Sequence, residues 1–357
     1  MVDINDKNLI IKLLNSKNEE QQNLWTKAVS IRDSTVGNKV YLRGLIEFSN
    51  ICQKNCFYCG IRSENANVKR YRMNIDSIMS CVDFIWNNRI RSVVLQSGEL
   101  DTKDFKSYLK IIVRTIKSKY KNIAITVSSG EFDYDFYNEL HDLGVERYLL
   151  RIESSDKNFY SNIHPDTHSF EKRKQCLFDM QKIGYQVGTG NMIGIPNQTD
   201  DIIYEDLKFF VNNNFDMFGL GPYVMHTETP LGTKENIIWW EENKNNILNK
   251  TLNFISILRI LRPTVNIATA TALDVINKDG RIMALKAGAN VIMPSITPNE
   301  NKQNYFLYQN KPNVDDGYDH ILAQVCKKIE LANMVPAFNE RGSSLFYKQK
   351  NNKDVTI

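Results

Sequence analysis

Three cysteines, Cys52, Cys56 and Cys59, occupy the stretch EFSNICQKNCFYCGIR in a CxxxCxxC spacing. Three thiolates can hold three irons of a 4Fe-4S cluster and leave the fourth iron without a protein ligand. A cluster bound by four cysteines can only pass electrons. An open iron can instead be chelated by a sulfonium cofactor, S-adenosylmethionine, which is then cleaved reductively to a carbon radical. The spacing therefore points to radical chemistry. The competing readings are a zinc site or three buried thiols, but structural zinc takes four ligands, usually in two separated pairs, and no further CxxC follows.

The other cysteines, Cys81, Cys176 and Cys326, fall on apolar helical stripes. Ile78, Cys81, Val82 and Ile85 repeat at i, i+3, i+4, i+7, as do Leu322, Val325, Cys326 and Ile329. They read as small core hydrophobes. With 357 residues the chain has room for one large domain or two, and its net charge of +4 is too small and dispersed to argue for nucleic acid. The N-terminus shows no signal-peptide pattern, no apolar run reaches membrane-spanning length, and an oxygen-sensitive cluster needs a reducing compartment. A cytoplasmic protein without membrane attachment is expected.

Positioning these residues falls to apolar runs that alternate with amphipathic helices. Eight strands are expected: Val40–Phe48, Ser92–Gln96, Ile123–Val127, Arg147–Ile152, Gln186–Met192, Phe215–Leu220, Thr264–Ala268 and Asn290–Met293. Between them lie helices such as Ile75–Trp86, Phe105–Ile116 and Phe170–Ile183, the last ending at a capping glycine, Gly184. This alternation predicts an α/β fold, a complete eight-stranded (β/α)8 TIM-type barrel. Residues 1–38 read as an N-terminal helical extension, 39–310 as the barrel, and 311–357 as a C-terminal helix followed by a basic, polar tail expected to fray. Loops after the C-terminal strand ends then carry the chemistry. The cysteine loop, Ser97-Gly98-Glu99, Ser128-Ser129-Gly130-Glu131, Glu153-Ser154-Ser155 and Thr269–Thr271 all fall there.

The segments IEFSNICQKNCFYCGIR, KRYRM, VLQSGE, ERYLLRIESS, HPDT, GNMIGIPNQT, DMFGLGPY, HTETPL and GANVIMPSITP give the chain, from about Asn38 to Lys311, a strong likeness to known sequences. It resembles the radical S-adenosylmethionine enzymes, and within them the FeFe-hydrogenase maturases of the HydE type, with biotin synthase and methylornithine synthase as relatives. The resemblance implies one 4Fe-4S cluster on Cys52, Cys56 and Cys59, with S-adenosylmethionine met by Tyr58, Gly98, Glu99, Ser128, Glu153 and Arg173. It points to Thr126, Arg151, Met217, Thr271, Met293 and Tyr305 for substrate. The substrate would be a small molecule or an organometallic one, a sulfur-containing, iron-bound cysteine synthon. Partners would be a one-electron donor such as ferredoxin or flavodoxin, and companion hydrogenase maturases.

Strand alternation places Arg147, Leu149, Arg151 and Glu153 on one face, so Arg151 and Glu153 are expected to point into the cavity together. The alternative is that Arg151 pairs only with Glu153 and binds nothing. Two departures from the family pattern stand out. Cys326 alone occupies the C-terminal region, so no auxiliary 2Fe-2S cluster is expected, and Ala270 stands beside Thr271 where the family commonly has adjacent threonines. The HTETPL stretch also differs, and His226 and Thr227 are expected to line an altered cavity. Two rival readings remain: a methylornithine-synthase-like mutase acting on an amino acid, and a cluster-bearing scaffold that binds the cofactor without turnover.

Overall fold

A helix between two strands returns the chain to the edge where it started, so successive strands can only pair in parallel. The computed structural model describes residues 2–312 and 314–351 and contains eleven strands among them. They are β1 (Lys39–Leu42), β2 (Gly44–Ser49), β3 (Ser92–Ser97), β4 (Ala124–Ser128), β5 (Val145–Leu149), β6 (Gln186–Thr189), β7 (Met192–Ile193), β8 (Met217–Pro222), β9 (Asn266–Thr269), β10 (Val291–Ile292) and β11 (Val335–Ala337). All pair in parallel, in the order β11-β1-β10-β9-β8-β6-β5-β4-β3-β2, and β7 adds to β8. β2 ends this path, yet it follows β1, near the other end, directly through Arg43. The sheet must therefore curl round on itself.

The eight expected strands are found, with corrections at their joints. Val40–Phe48 is not one strand: it breaks at Arg43, so β1 pairs with β10 and β11 while β2 pairs with β3. The result is a curled parallel sheet in an open order of named strands, rather than a ring of eight equal ones. Amides still cross the gap, with Arg43 N–H donating to Ile292 O (3.1 Å), Leu45 N–H to Pro294 O (2.8 Å) and Ile296 N–H to Leu45 O (2.7 Å). The run Gln186–Met192 divides into β6 and β7, and Arg147–Ile152 stops pairing at Leu149. β11 carried no signal in its short VPA segment.

Helices follow from caps and stripes. Asn74, Thr102 and Ser169 each accept an N-terminal amide of the helices Ile75–Asn87, Lys103–Lys119 and Phe170–Ile183, and Gly184 ends the last at φ +108°. Cys81 and Cys176 are buried on such faces, as expected. The N-terminal helices Lys7–Leu14 and Asn18–Thr35 pack outside the sheet on the long helix Lys234–Leu261. Asn253 of that helix fastens them, accepting from Gln21 and Trp25 and donating to the carbonyls of Leu14 and Ser16. No helix among the described residues is long and apolar enough to cross a membrane.

The C-terminal segment is helical over Leu345–Asn351, and residues 341–347 are hydrogen-bonded to the sheet and its neighbouring helices. It packs against the N-terminal ends of the strands, where Arg147 donates to Arg341 O (2.6 Å), Asn266 Nδ2 and Arg43 Nη2 donate to Gly342 O (3.0 and 3.2 Å), and Gln186 Oε1 accepts from Ser344 N–H (3.0 Å). The rest of the expected tail, residues 352–357, lies outside the described residues. Ending the chain after Glu340 would strip partners from these buried groups, at about 1–3 kcal/mol each. A marked fall in the urea midpoint of unfolding is the expected outcome, and an unchanged midpoint would show the segment to be dispensable.

Candidate active site

The loop that carries the cysteines leaves β2, is turned by bonds of its own such as Cys59 N–H to Cys56 O and Ser63 N–H to Lys54 O, and is also held from outside. Asn50 clamps both of its ends, donating to Lys69 O (2.8 Å) and Asn304 O (2.6 Å) and accepting from Tyr71 N–H (2.7 Å). Arg70 donates to four loop carbonyls, those of Asn50, Ile61, Arg62 and Asn65. The end of β3 presses on the same loop. A Cβ at Gly98 would lie 2.5 Å from Ile51 O and 2.8 Å from Cys52 Cβ, so this approach requires glycine. It lets Glu99 N–H donate to Cys52 Sγ (3.4 Å) and Glu99 O accept from Gln53 N–H (2.7 Å).

Cys52, Cys56 and Cys59 line one cavity of about 330 Å³ above the sheet. Burial raises all three thiols, Cys56 to about 12, and at Cys59 the charges of Cys56 and Cys52 add to it. Three such groups can be thiolates together only beside a large positive charge, and a soft sulfur donor set matches iron. The site therefore fits the cluster its spacing suggests.

Four charges border the cysteines, three of them buried and that of Lys54 half-buried. Lys54, inside the cysteine loop, sits 3.2 Å from Glu99 and 3.1 Å from Glu131, while Arg173 lies 3.5 Å from Glu99 and 3.2 Å from Glu131. Burial pushes Glu99 up, and Arg173 and Lys54 pull it back. The same two acids more than offset the burial of Arg173 and keep it cationic.

Across the cavity, Arg151 donates to Asn191 O (2.7 Å) and pairs with Glu153 at 3.0 Å. Glu153 adopts φ +63°, a left-handed conformation that a glutamate holds only under constraint. The constraint is Asp206, fully buried on the helix Asp200–Asn212. Its Oδ1 accepts from Ser155 N–H (2.5 Å), Ser155 Oγ and Ser154 Oγ, and its Oδ2 accepts from Asn191 Nδ2 (2.9 Å).

Comparison with known proteins agrees with this geometry. The radical SAM superfamily model matches residues 46–210. The chain is 39% identical over 313 residues to the FeFe hydrogenase maturase subunit HydE of Thermotoga maritima, covering 88% of this chain and 86% of that one. It is a radical SAM enzyme of the HydE family. The 3-methylornithine synthase of Methanosarcina acetivorans is 25% identical, over 94% of this chain and 91% of that one. A crystal structure of methylornithine synthase shares the fold at TM-score 0.80 and 24% identity, with 95% of each chain covered. Membership of this family implies a 4Fe-4S cluster and S-adenosylmethionine.

The structure brings most of the candidate residues of this HydE-family chain into one place. Tyr58, Gly98, Glu99, Ser128, Glu153 and Arg173 line the large cavity with the cysteines, and so do Arg151, Thr271, Met293 and Tyr305. Thr126 and Met217 do not. They line a cavity of about 20 Å³ below it, next to Arg43, with Met293 shared between the two. His226 and Thr227 do not line the main cavity either: His226 packs beneath Gly60, and Thr227 meets Gln309. Sequence reasoning assigned no role to Lys54 or His168, and named Glu131 only as part of a strand-end loop and His164 only as part of the HPDT stretch. The HxxxH spacing formed by the HPDT stretch and the histidine after it could have flagged both rings. Both are buried, and burial lowers His164 to about 3 and His168 to about 4, so both rings are neutral near pH 7.

Asp206 supplies a test of the turn. Burial raises its carboxyl to about 6 despite its donors, from 3.8. A raised carboxylate costs folded-state stability once it must ionise. Its contribution is therefore lost as pH rises from about 4 to about 6, by up to about 3 kcal/mol at 1.4 kcal/mol per unit. In Asp206→Asn this loss should vanish, because Asn191 can turn its unpartnered Oδ1 toward the new amide. Urea titrations of both proteins between pH 4 and 7 should show the gap changing across that window, and parallel pH profiles would contradict the assignment.

Proposed function

We propose that this chain holds one 4Fe-4S cluster on Cys52, Cys56 and Cys59 and acts, as a HydE-like maturase, on a small anionic substrate during FeFe-hydrogenase cofactor assembly. The specific substrate proposed is a sulfur-containing, iron-bound cysteine synthon. When bound, the cluster and S-adenosylmethionine supply a 5′-deoxyadenosyl radical after one electron arrives from a donor such as ferredoxin or flavodoxin. Everything else is positioning.

The charge of the cavity carries this reading. Lys54, Arg151, Arg173, Arg281, Lys302 and Lys311 line it against only Glu47, Glu99 and Glu153. Each of these carboxylates already has a cation: Glu47 meets Lys311, Glu99 meets Lys54 and Arg173, and Glu153 meets Arg151. These cations are largely compensated in turn, Arg281 by Asp274 and Lys54 and Arg173 also by Glu131, so the case for an anionic guest rests on Arg151, whose Nε meets no hydrogen-bond partner among the described residues. The mutase alternative needs a carboxylate to receive an amino-acid ammonium, and none lining the cavity is without a cationic partner. The scaffold alternative would yield no 5′-deoxyadenosine on reduction.

In this reading Arg173 and Glu153 hold the polar ends of S-adenosylmethionine by charge-assisted hydrogen bonds. Glu99 and Glu131 then keep Arg173 charged and aimed. Tyr58, Gly98, Glu99 and Ser128 shape the cofactor side. Arg151, its side chain 30% exposed where it borders the cavity, receives the anionic group of the substrate with Thr271 and Tyr305 alongside. Thr126 and Met217 set the floor below. We also read the amide contacts between Leu45 and Pro294 as closing the sheet into a complete eight-stranded barrel, with the helical extension outside and no auxiliary 2Fe-2S cluster.

Replacing Cys56 with Ala should leave less iron bound and abolish formation of 5′-deoxyadenosine after reduction by dithionite. Wild-type iron content and cleavage in that variant would exclude Cys56 as a ligand. For Arg151→Gln, uncoupled cofactor cleavage should continue within about threefold of wild type, while substrate conversion falls by about a hundredfold or more, the loss of one buried charged hydrogen bond being worth about 3 kcal/mol. Full substrate turnover in Arg151→Gln would remove the residue from the binding site.

A further inference from the structure

We infer that His168 donates a hydrogen bond from Nδ1 to the sulfur of Cys56 and so helps to set the reduction potential of the cluster. This rests on the cluster assignment proposed above. Asn55 N–H donates to His168 Nε2 at 3.2 Å, so Nε2 carries a lone pair. A neutral imidazole with its lone pair on Nε2 has its proton on Nδ1. That nitrogen lies 3.8 Å from Cys56 Sγ.

The neighbouring His164 cannot take the same part. Its Nδ1 faces Tyr160 O at 2.8 Å, and a carbonyl can only accept, so the proton is there. Its Nε2 then accepts from the Tyr58 hydroxyl at 3.0 Å. Both nitrogens are committed. The ligand atoms of Cys56, His164 and His168 lie within 4.8 Å of one another, yet neither ring has a lone pair left for a separate metal ion. What remains is one N–H directed at one sulfur.

A hydrogen bond to a cluster thiolate stabilises the state carrying the extra electron, and so raises the potential. Cys52 receives a backbone counterpart from Glu99 N–H, which exchanging the side chain of His168 leaves in place. The Cys56 donor is a side chain, buried with 9% exposure, and it can be exchanged. In His168→Gln the longer amide reaches the Nε2 position, so it can still accept from Asn55 but offers nothing to Cys56. In His168→Asn the shorter amide places its NH2 where Nδ1 was.

The experiment is an EPR-monitored redox titration of the anaerobically reconstituted full chain for wild type and both variants, with iron content measured alongside. At the wild-type midpoint, the ratio of reduced to oxidised cluster should fall about tenfold in His168→Gln, equivalent to 59 mV for one electron. His168→Asn should stay near wild type. An unchanged His168→Gln potential, or an equal fall in both variants, overturns the inference. Histidine ¹⁵N spectra of the cluster-free chain decide the tautomer independently, since the chain has only 5 histidines to assign. A proton on His168 Nε2 there overturns the inference even if neither variant loads iron. Failure of the wild type to load any cluster would instead defeat the cluster assignment.

Discussion

Charge inside a low-dielectric enclosure must be compensated locally, and that constraint organises this molecule from floor to rim. At the floor, Arg147 and Arg43 have no carboxylate partner among the described residues, and their terminal nitrogens donate instead to carbonyls, hydroxyls and the Met217 sulfur, several of these acceptors lying in residues 341–343, while each Nε stays unpartnered. The C-terminal segment is therefore ordered because the arginines need it. At the rim, Lys54, Glu99, Glu131 and Arg173 form a closed set of two cations and two anions. Breaking any one member would leave a buried charge unmatched, which costs far more than an exposed pair returns.

Between floor and rim, most of the charged side chains that line the cavity are cations, each bonded to acceptors beside or behind it, as Arg281 is to Asp274 and Lys311 to Glu47. The cavity thus combines a thiol corner with a basic wall, and the two face one another across about 330 Å³. Radical chemistry needs a dry, rigid enclosure more than it needs acid–base groups. Here rigidity comes from clamps rather than from regular structure: Asn50 and Arg70 on the cysteine loop, and Asp206 on the turn that holds Glu153 in a left-handed conformation. Strain at Glu153 is kept in place by four hydrogen bonds to one buried carboxylate.

Much of the site was legible in the sequence. The CxxxCxxC spacing is local, so three thiols within eight residues converge whatever the rest of the chain does. Strand positions could be read from apolar runs, and helix ends from Asn74, Thr102, Ser169 and Gly184, because these signals act within a few residues. Alternation along residues 147–153 placed Arg151 and Glu153 on the cavity side, although pairing stops at Leu149.

Tertiary structure decided what depends on contacts between distant segments. Nothing local announces that Lys54 and Arg173 share the carboxylates of Glu99 and Glu131, since the four come from separate segments of the chain. Nor could local sequence reveal that Thr126 and Met217 lie below the main cavity, because depth along a strand is fixed by register with its neighbours. The break at Arg43 was equally hidden: Val40–Phe48 reads as a single strand, and only the competing pairing of β1 with β10 and β2 with β3 divides it. The sequence by itself thus determined which chemistry is possible, through residue type and short spacing. Only the fold decided which charges face one another, because their energies depend on distance and burial rather than on order along the chain.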